Sequence, residues 1–252
     1  MNTRYRNALL IGSIVHLAAM TAPAAESPAS SATSKDPVVS KLAAPMMAVT
    51  QLVVVEKLNP LIDRLIQNAP PAARLGDRWN PSSAAWQQAR TSISGRIDRI
   101  VDLYRNSGDL GRALETKVQG LDPASQAAFA AVLNGPAGPT IVRDIARMEF
   151  TLAMMSEDPE APSPGDSRWQ PRLRELNDTF DRRIGSAVPA RDARYAADAE
   201  KFFANMSSDV SLVTFSTVSY AVGQIEHAIN LVLFDDSDAI RREIEAVIAS
   251  VK

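Results

Sequence analysis

Apolar residues recur at intervals of three and four through most of this 252-residue chain, and this spacing constrains the fold more than any other feature. Side chains spaced in this way lie on one face of an α-helix. The pattern predicts an all-α fold, a compact multi-helix bundle. The clearest stripes comprise Trp86, Ala89, Ile93, Ile97, Ile100 and Tyr104, then Ile141, Ile145, Met148, Leu152 and Met155, and then Trp169, Leu173, Leu176, Phe180 and Ile184.

Proline, glycine and small polar residues mark the expected helix ends. Asn80-Pro81 and Asp122-Pro123 each combine an N-cap residue with a proline that suits the first helical turn. Gly108 and Gly120 are expected to end helices. Pro60 separates two apolar segments, so we expect it to kink or split the helix that contains them.

The segment 210–222, with the sequence VSLVTFSTVSYAV, leaves two structures open because it is rich in β-branched side chains. A strand would explain its partial alternation of apolar and polar residues. That alternation slips at Val213 and at Thr217, which would turn apolar side chains to the wrong face. Helical spacing continues from Leu212 to Val232, so a long central helix is favoured.

The N-terminus resembles an export signal. Arg4 and Arg6 precede an uncharged, mostly apolar run at 8–20, and Ala22-Pro23-Ala24 provides the small residues of a cleavage site. The run is too short to span a bilayer. We therefore predict that residues 1–24 are a signal peptide and that the protein is periplasmic, with secretion as the alternative. Residues 25–37 are rich in Ser, Ala and Pro and are expected to form a disordered linker.

Residues 38–252 are expected to form one α-helical domain, with two related halves at 38–158 and 165–252 as the alternative. The sequence GDRWNP at 76–81 is echoed by GDSRWQP at 165–171, which fits a duplication. The other interpretation is that each is simply a good helix start. Trp79 and Trp169 are candidate binding residues, although packing anchors are the favoured interpretation.

Composition excludes several classes of chemistry. The 27 basic and 29 acidic residues are nearly balanced, which argues against nucleic acid as a partner. Cysteine is absent, so disulfides, thiol catalysis and zinc sites with cysteine ligands are excluded. Only His227 remains after removal of the signal peptide, and a single histidine cannot form a histidine-pair metal site. We expect no cofactor and no metal.

Glu149 and Glu226 are the remaining candidates for acid–base chemistry. Each shares a helix face with apolar residues, and an apolar environment raises the pKa of a carboxyl group as a general acid requires. The alternatives are pairing with Arg143 or Arg147, or exposure at the edge of the stripe. His227 directly follows Glu226, so the two side chains diverge on a helix, and a boundary position is expected for His227.

A short motif resembles a small helical domain of unknown function found in exported bacterial proteins. The motif comprises Leu121-Asp122-Pro123, Phe129 and the turn Asn134-Gly135-Pro136-Ala137-Gly138. That family has a helix with an aromatic residue, a Pro-x-Gly turn and a second helix. Asn134-Gly135 replaces the Ser or Thr often found before the turn, and Pro139 is unusual after it. The resemblance covers about residues 95–156 and implies an exported helical protein without an assigned catalytic residue.

Three functions remain open. The first is a non-catalytic interaction or binding module of the cell envelope. Its partner would be an envelope protein or polymer, and a homo-oligomer is one alternative for its assembly. The second is a carboxylate-dependent hydrolase or lyase that acts on envelope polymer. The third is a carrier of a small apolar ligand, which an apolar cavity above roughly 300 Å³ would favour. No membrane span is expected after signal cleavage.

Overall fold

The computed structural model describes residues 35–69, 73–155, 168–235 and 237–251. The predicted signal peptide at 1–24 and most of the predicted linker lie outside these residues. The described chain is all-α and contains no β-strand, which confirms the predicted fold class. Its helices are α1 (Pro37–Gln67), α2 (Ala84–Ser107), α3 (Asp109–Gln119), α4 (Pro123–Asn134), α5 (Gly138–Met155), α6 (Trp169–Ile184), α7 (Ala196–Val210), α8 (Ser216–Asp235) and α9 (Ser237–Ser250).

The chain divides into two compact units, each built from segments that are distant in sequence. Within the described residues, the first unit contains 35–52 and 107–220, and the second contains 53–106 and 221–251. Helices α1 and α8 each contribute residues to both units. These boundaries differ from the expected halves at 38–158 and 165–252, and the duplication itself stays a prediction.

Helix α1 begins at Pro37, the last residue of the predicted linker. Asp36 caps it, because its Oδ1 accepts hydrogen bonds from the backbone N–H groups of Val38 and Val39 at 2.8 and 3.1 Å. The helix then continues through Pro45 and Pro60. The expected split at Pro60 is therefore wrong. A proline removes one backbone donor from the helix, and the burial of a long apolar face offsets that cost. The buried residues of this face include Leu42, Met46, Val49, Val53, Ile62 and Ile66.

Helix α1 is also long and apolar enough to cross a membrane by length and composition. It is the only helix within the described residues that meets this criterion. However, 61% of its most apolar window is buried in the protein, as in a core helix. The expectation that the chain has no membrane span stays a prediction.

The start of α2 differs from the sequence-based prediction. Ser83 caps this helix, since its Oγ accepts a hydrogen bond from the N–H of Trp86 at 3.2 Å. Asn80 instead organises the preceding turn, where its Oδ1 accepts from the N–H of Ser82 at 2.9 Å. The helix therefore begins after three residues of turn. Val101 completes the buried face in place of Ile100.

The region around residue 210 is helical, so the strand alternative is wrong. The backbone departs from α-helical geometry twice in this region, once before the expected long helix and once within it. Met206, within α7, has φ −123° and ψ 16°. A single π-helical turn, Ser211–Phe215, then separates α7 from α8, and the N–H of Ser216 bonds to the carbonyl of Ser211 within it. We call this segment the π-turn.

The core of the first unit forms around α5. This helix packs against α4, α6, α7 and the π-turn. Phe129, Phe150 and Phe180 are completely buried there, and the ring centroids of Phe150 and Phe180 are 6.1 Å apart. Helix α5 is therefore covered on several sides, and this position determines the environment of Glu149.

Candidate functional site

Glu149 lies on α5 and is completely buried, with 0% of its surface exposed. The sequence places it beside apolar residues of the same helix face, and packing of other helices against that face excludes water. Ile145 and Phe150 are also fully buried. A carboxylate in such surroundings loses its hydration, which strongly disfavours the charged form.

Thr214, on the π-turn, is the hydrogen-bond partner of Glu149. Its Oγ1 lies 2.6 Å from Glu149 Oε1 and 2.7 Å from the carbonyl oxygen of Val210, one turn earlier in the chain. The other carboxyl oxygen, Glu149 Oε2, is buried and has no hydrogen-bond partner among the described residues. The carboxyl group is thus held by one side chain only.

Burial raises the pKa of Glu149 from its ordinary value of 4.5 to about 8, and the hydrogen bond from Thr214 opposes this with a smaller effect. The group is therefore protonated in the folded protein at neutral pH. The expected rise in pKa is present. However, a general acid must contact its substrate, and a side chain with no exposed surface offers no contact in this conformation.

The expected pairing of Glu149 with Arg143 or Arg147 is wrong. Both arginines bind Asp181 Oδ1 through their Nη2 atoms, at 2.7 and 2.9 Å respectively. Both guanidinium groups also lie over the ring of Phe180, 5.5 and 5.6 Å from its centroid. This cluster joins α5 to α6 and leaves Glu149 without a counter-ion.

Glu226 and His227 lie on α8. Glu226 forms an ion pair with Lys57 of α1, at 3.2 Å, and 30% of its side chain is exposed. The partner of Glu226 is therefore a lysine, and not Arg143 or Arg147, with which pairing was the expected alternative. His227 is exposed, so it does not occupy the boundary position expected from the sequence. The two neighbouring residues do not form a site together, and within the described residues no group of acidic and histidine side chains has a metal-binding arrangement.

Trp79 and Trp169 are both buried, at 8% and 5% exposure. The indole N–H of Trp79 donates to the carbonyl of Ile66 at 3.1 Å, and its ring lies 5.6 Å from that of Trp86. It therefore satisfies a carbonyl at the C-terminal end of α1 and packs there. Trp169 begins α6. Packing explains both positions better than ligand contact does.

An apolar groove lies between the end of α1 and the start of α9, and we call it the α1–α9 groove. Its volume is about 420 Å³. Leu65 is 38% exposed at its edge, whereas Ile240 and Ile244 are buried at its base. The full lining is Leu61, Arg64, Leu65, Asn68, Ala69, Ser237, Ile240, Arg241 and Ile244.

The two charged residues that line the α1–α9 groove in the described part of the chain are both arginines. Arg64 donates from Nε to the carbonyl of Pro60 at 3.3 Å and forms no ion pair with a described residue. Arg241 pairs with Asp238 at 3.1 Å and with Glu245 at 3.9 Å, neither of which lines the groove. A second concavity of about 680 Å³ adjoins it at Asn68 and Ala69 and reaches Trp79.

Sequence reasoning found Glu149 but missed its partner and the groove. Thr214 is 65 positions away in sequence, and only the packing of α5 against the π-turn brings the two together. The lining of the groove comes from segments at 61–69 and 237–244. The signal available in the sequence was an apolar residue, Leu65, directly beside a charged one, Arg64. Helical spacing alone does not tell an exposed leucine from a core leucine.

The chain matches no family model, no curated protein and no solved structure. The resemblance of residues 95–156 to a domain of exported proteins therefore stays a prediction.

Proposed function

We propose that this chain is a non-catalytic binding module of the cell envelope, and that its ligand occupies the α1–α9 groove. The single observation that carries the proposal is an open apolar groove of about 420 Å³, a volume within the range of small-molecule binding sites. The hydrolase hypothesis has less support. Its best acid, Glu149, is fully buried, and Glu226 is paired with Lys57.

The groove is suited to a small amphiphile with an acidic head group. Leu61, Leu65, Ile240 and Ile244 offer an apolar wall of a size suited to a short acyl chain. Arg64 stands at the same surface without a carboxylate partner among the described residues, so its guanidinium is available to a carboxylate. Among the residues that the structure describes, no acidic side chain contributes to the lining. The export signal expected in the sequence supports an envelope location for such binding.

Titration calorimetry with sodium decanoate tests the proposal. We expect saturable binding with a Kd on the order of tens of micromolar, since a ligand of this size gains only a modest free energy per atom. Decyltrimethylammonium, which has the same chain and the opposite charge, should bind at least tenfold more weakly. The absence of saturable decanoate binding, or equal binding of both amphiphiles, would contradict the proposal.

Two substitutions locate the ligand. Arg64→Gln should weaken decanoate binding about tenfold, which corresponds to about 1.4 kcal/mol for a lost charged contact. Leu65→Gln should weaken binding of both amphiphiles, because it adds a polar group to the apolar wall. Leu103→Gln is the matched control, since Leu103 is 72% exposed and does not line the groove. Equal affinities in all three variants would place the ligand elsewhere.

A further inference from the structure

The hydroxyl group of Thr214 faces two acceptors but has one proton. Glu149 Oε1 is at 2.6 Å and the Val210 carbonyl oxygen is at 2.7 Å. A protonated Glu149 can donate to Thr214, which then donates to Val210, and both bonds are satisfied. An ionised Glu149 cannot donate, so Thr214 must direct its proton either to the carboxylate or to the carbonyl.

The backbone at this position already departs from α-helical geometry. Met206 has non-helical dihedral angles and the π-turn begins at Ser211, so Val210 lies between two irregularities. Two other buried threonines bond only to the carbonyl four residues earlier, Thr50 to that of Met46 and Thr217 to that of Val213. Thr214 alone among these three also contacts a carboxyl group. Single π-helical turns inside helices are frequently found at functional sites.

Within the described residues, no charged group faces Glu149 to compensate an ionised carboxylate. The π-turn and α4 contain no charged residue. Helix α3 also packs against the π-turn, and its charged residues, Asp109, Arg112, Glu115 and Lys117, are exposed or half-buried. On α6, Asp181 is bound by Arg143 and Arg147 of α5, and on α5 itself Asp144 is bound by Arg191. On α7 the nearest charges are exposed or half-buried. The remaining charged residues of α6 and α7 are Arg172, Arg174, Glu175, Asp178, Arg182, Arg183, Asp198, Glu200, Lys201 and Asp209.

We propose that the proton on Glu149 controls the hydrogen bond between Thr214 and Val210, and with it the conformation of the π-turn. When the carboxyl group releases its proton to solvent, the Thr214 hydroxyl rotates and donates to the carboxylate. The Val210 carbonyl then loses the bond from Thr214, and the π-turn opens more readily. This inference does not depend on the α1–α9 groove or on its ligand. Because burial raises the pKa of Glu149 to about 8, the change falls in a mildly alkaline range.

Amide hydrogen exchange of the segment 207–217, followed by mass spectrometry and corrected for intrinsic rates, tests the proposal between pH 6.5 and 9.5. In the native sequence we expect protection of this segment to fall at least tenfold across that range. The segment 84–107 serves as the internal reference and should change by less than twofold. Equal losses in both segments would indicate general unfolding and would overturn the proposal.

Variants separate the roles of the two side chains. Glu149→Gln keeps the shape of the side chain but cannot ionise. In this variant the amide protection of segment 207–217 should therefore change by less than twofold across the pH range. Thr214→Val removes the hydroxyl and should give the same result, which keeps the test valid if Glu149→Gln does not fold. Thr217→Val is the matched control, because that buried hydroxyl has only the Val213 carbonyl as its partner. It should behave like the native sequence, and a tenfold loss in Glu149→Gln or Thr214→Val would overturn the proposal.

Discussion

At the scale of single residues, Glu149 is the least expected side chain in the molecule. An isolated carboxylate inside a protein is so unfavourable that the group keeps its proton instead. The structure provides one hydroxyl group, Thr214, as its partner, while the nearby arginines are occupied by Asp181. A neutral carboxylic acid in this position makes a hydrogen bond without requiring a counter-ion, which explains how it is accommodated.

The raised pKa of Glu149 makes stability depend on pH. The folded state binds the proton more tightly than the unfolded chain, in which the pKa of this group stays near 4.5. The protonated group therefore contributes fully to the free energy of unfolding below pH 4.5, and this contribution is lost as the pH rises to about 8. We expect the free energy of unfolding to fall across this range by up to about 1.4 kcal/mol per pH unit. Urea unfolding at a series of pH values measures it.

Two variants provide the comparison for this prediction. Glu149→Gln should lack most of the slope between pH 4.5 and 8, because glutamine does not ionise. Glu200→Gln is the control, since Glu200 is exposed on α7 and should leave the slope unchanged. A native slope retained in Glu149→Gln would show that another group is responsible.

At the scale of elements, the turn between α4 and α5 requires a glycine for its close approach. A Cβ atom added at Gly138 would lie 2.1 Å from the carbonyl oxygen of Leu133 and 2.8 Å from its carbonyl carbon. Both are backbone atoms, so they cannot move without shifting the end of α4. The turn thereby brings α4 close to α5, the helix that carries Glu149.

Gly138→Ala should therefore destabilise the protein by about 1–3 kcal/mol, the usual cost of forcing an extra group into a packed region. Gly111→Ala is the matched control within the same unit. Gly111 lies in α3 with no atom within 4 Å of an added Cβ, so alanine should stabilise the helix by about 0.5–1 kcal/mol. Thermal unfolding followed by circular dichroism measures both, and equal effects would show that the close approach has no energetic consequence.

Helix α1 shows how tertiary packing overrides a local signal. Pro60 is exposed in the interior of the helix, where proline is unfavourable by about 3 kcal/mol relative to alanine. The buried face of the helix continues on both sides of it, from Val53 and Leu58 to Ile62 and Ile66. The gain from burying these side chains exceeds the local cost, and the helix stays continuous.

At the scale of the whole molecule, each unit is discontinuous in sequence. The first unit combines 35–52 with 107–220 and the second combines 53–106 with 221–251. A cut at residue 158 therefore removes α6, α7 and the π-turn from the unit that contains α5. Such a fragment would leave Glu149 without Thr214 and Phe150 without Phe180.

This organisation gives a test of the duplication. If each half were an independent repeat, residues 35–158 and residues 165–252 would each fold alone. We expect neither fragment to show cooperative thermal unfolding by circular dichroism, because each lacks segments that complete the units. The chain 35–252 is the control and should unfold cooperatively. A cooperative transition in either fragment would favour two independent halves.

The amino-acid sequence by itself determined where most helices lie, because apolar spacing, Asp122-Pro123 and Gly108 act through neighbouring residues along the chain. The structure bears them out, with Asp122 capping α4 and Gly108 in a left-handed conformation at φ 74°. It also singled out Glu149 as a carboxyl group in apolar surroundings. Local pattern failed at the start of α2, where Ser83 caps the helix instead of Asn80. It also failed where distant segments meet, because Arg143 and Arg147 bind Asp181.

Only the tertiary structure decided the partner of Glu149, the π-turn and the α1–α9 groove. The partner of Glu149 and the groove depend on contacts between segments tens of residues apart, and such contacts follow from the packing of complete helices. A side chain's position along one helix states which face it occupies but not which helix covers that face. The raised pKa of Glu149 results from burial under the neighbouring helices, since the same carboxyl group in water would be an ordinary surface charge.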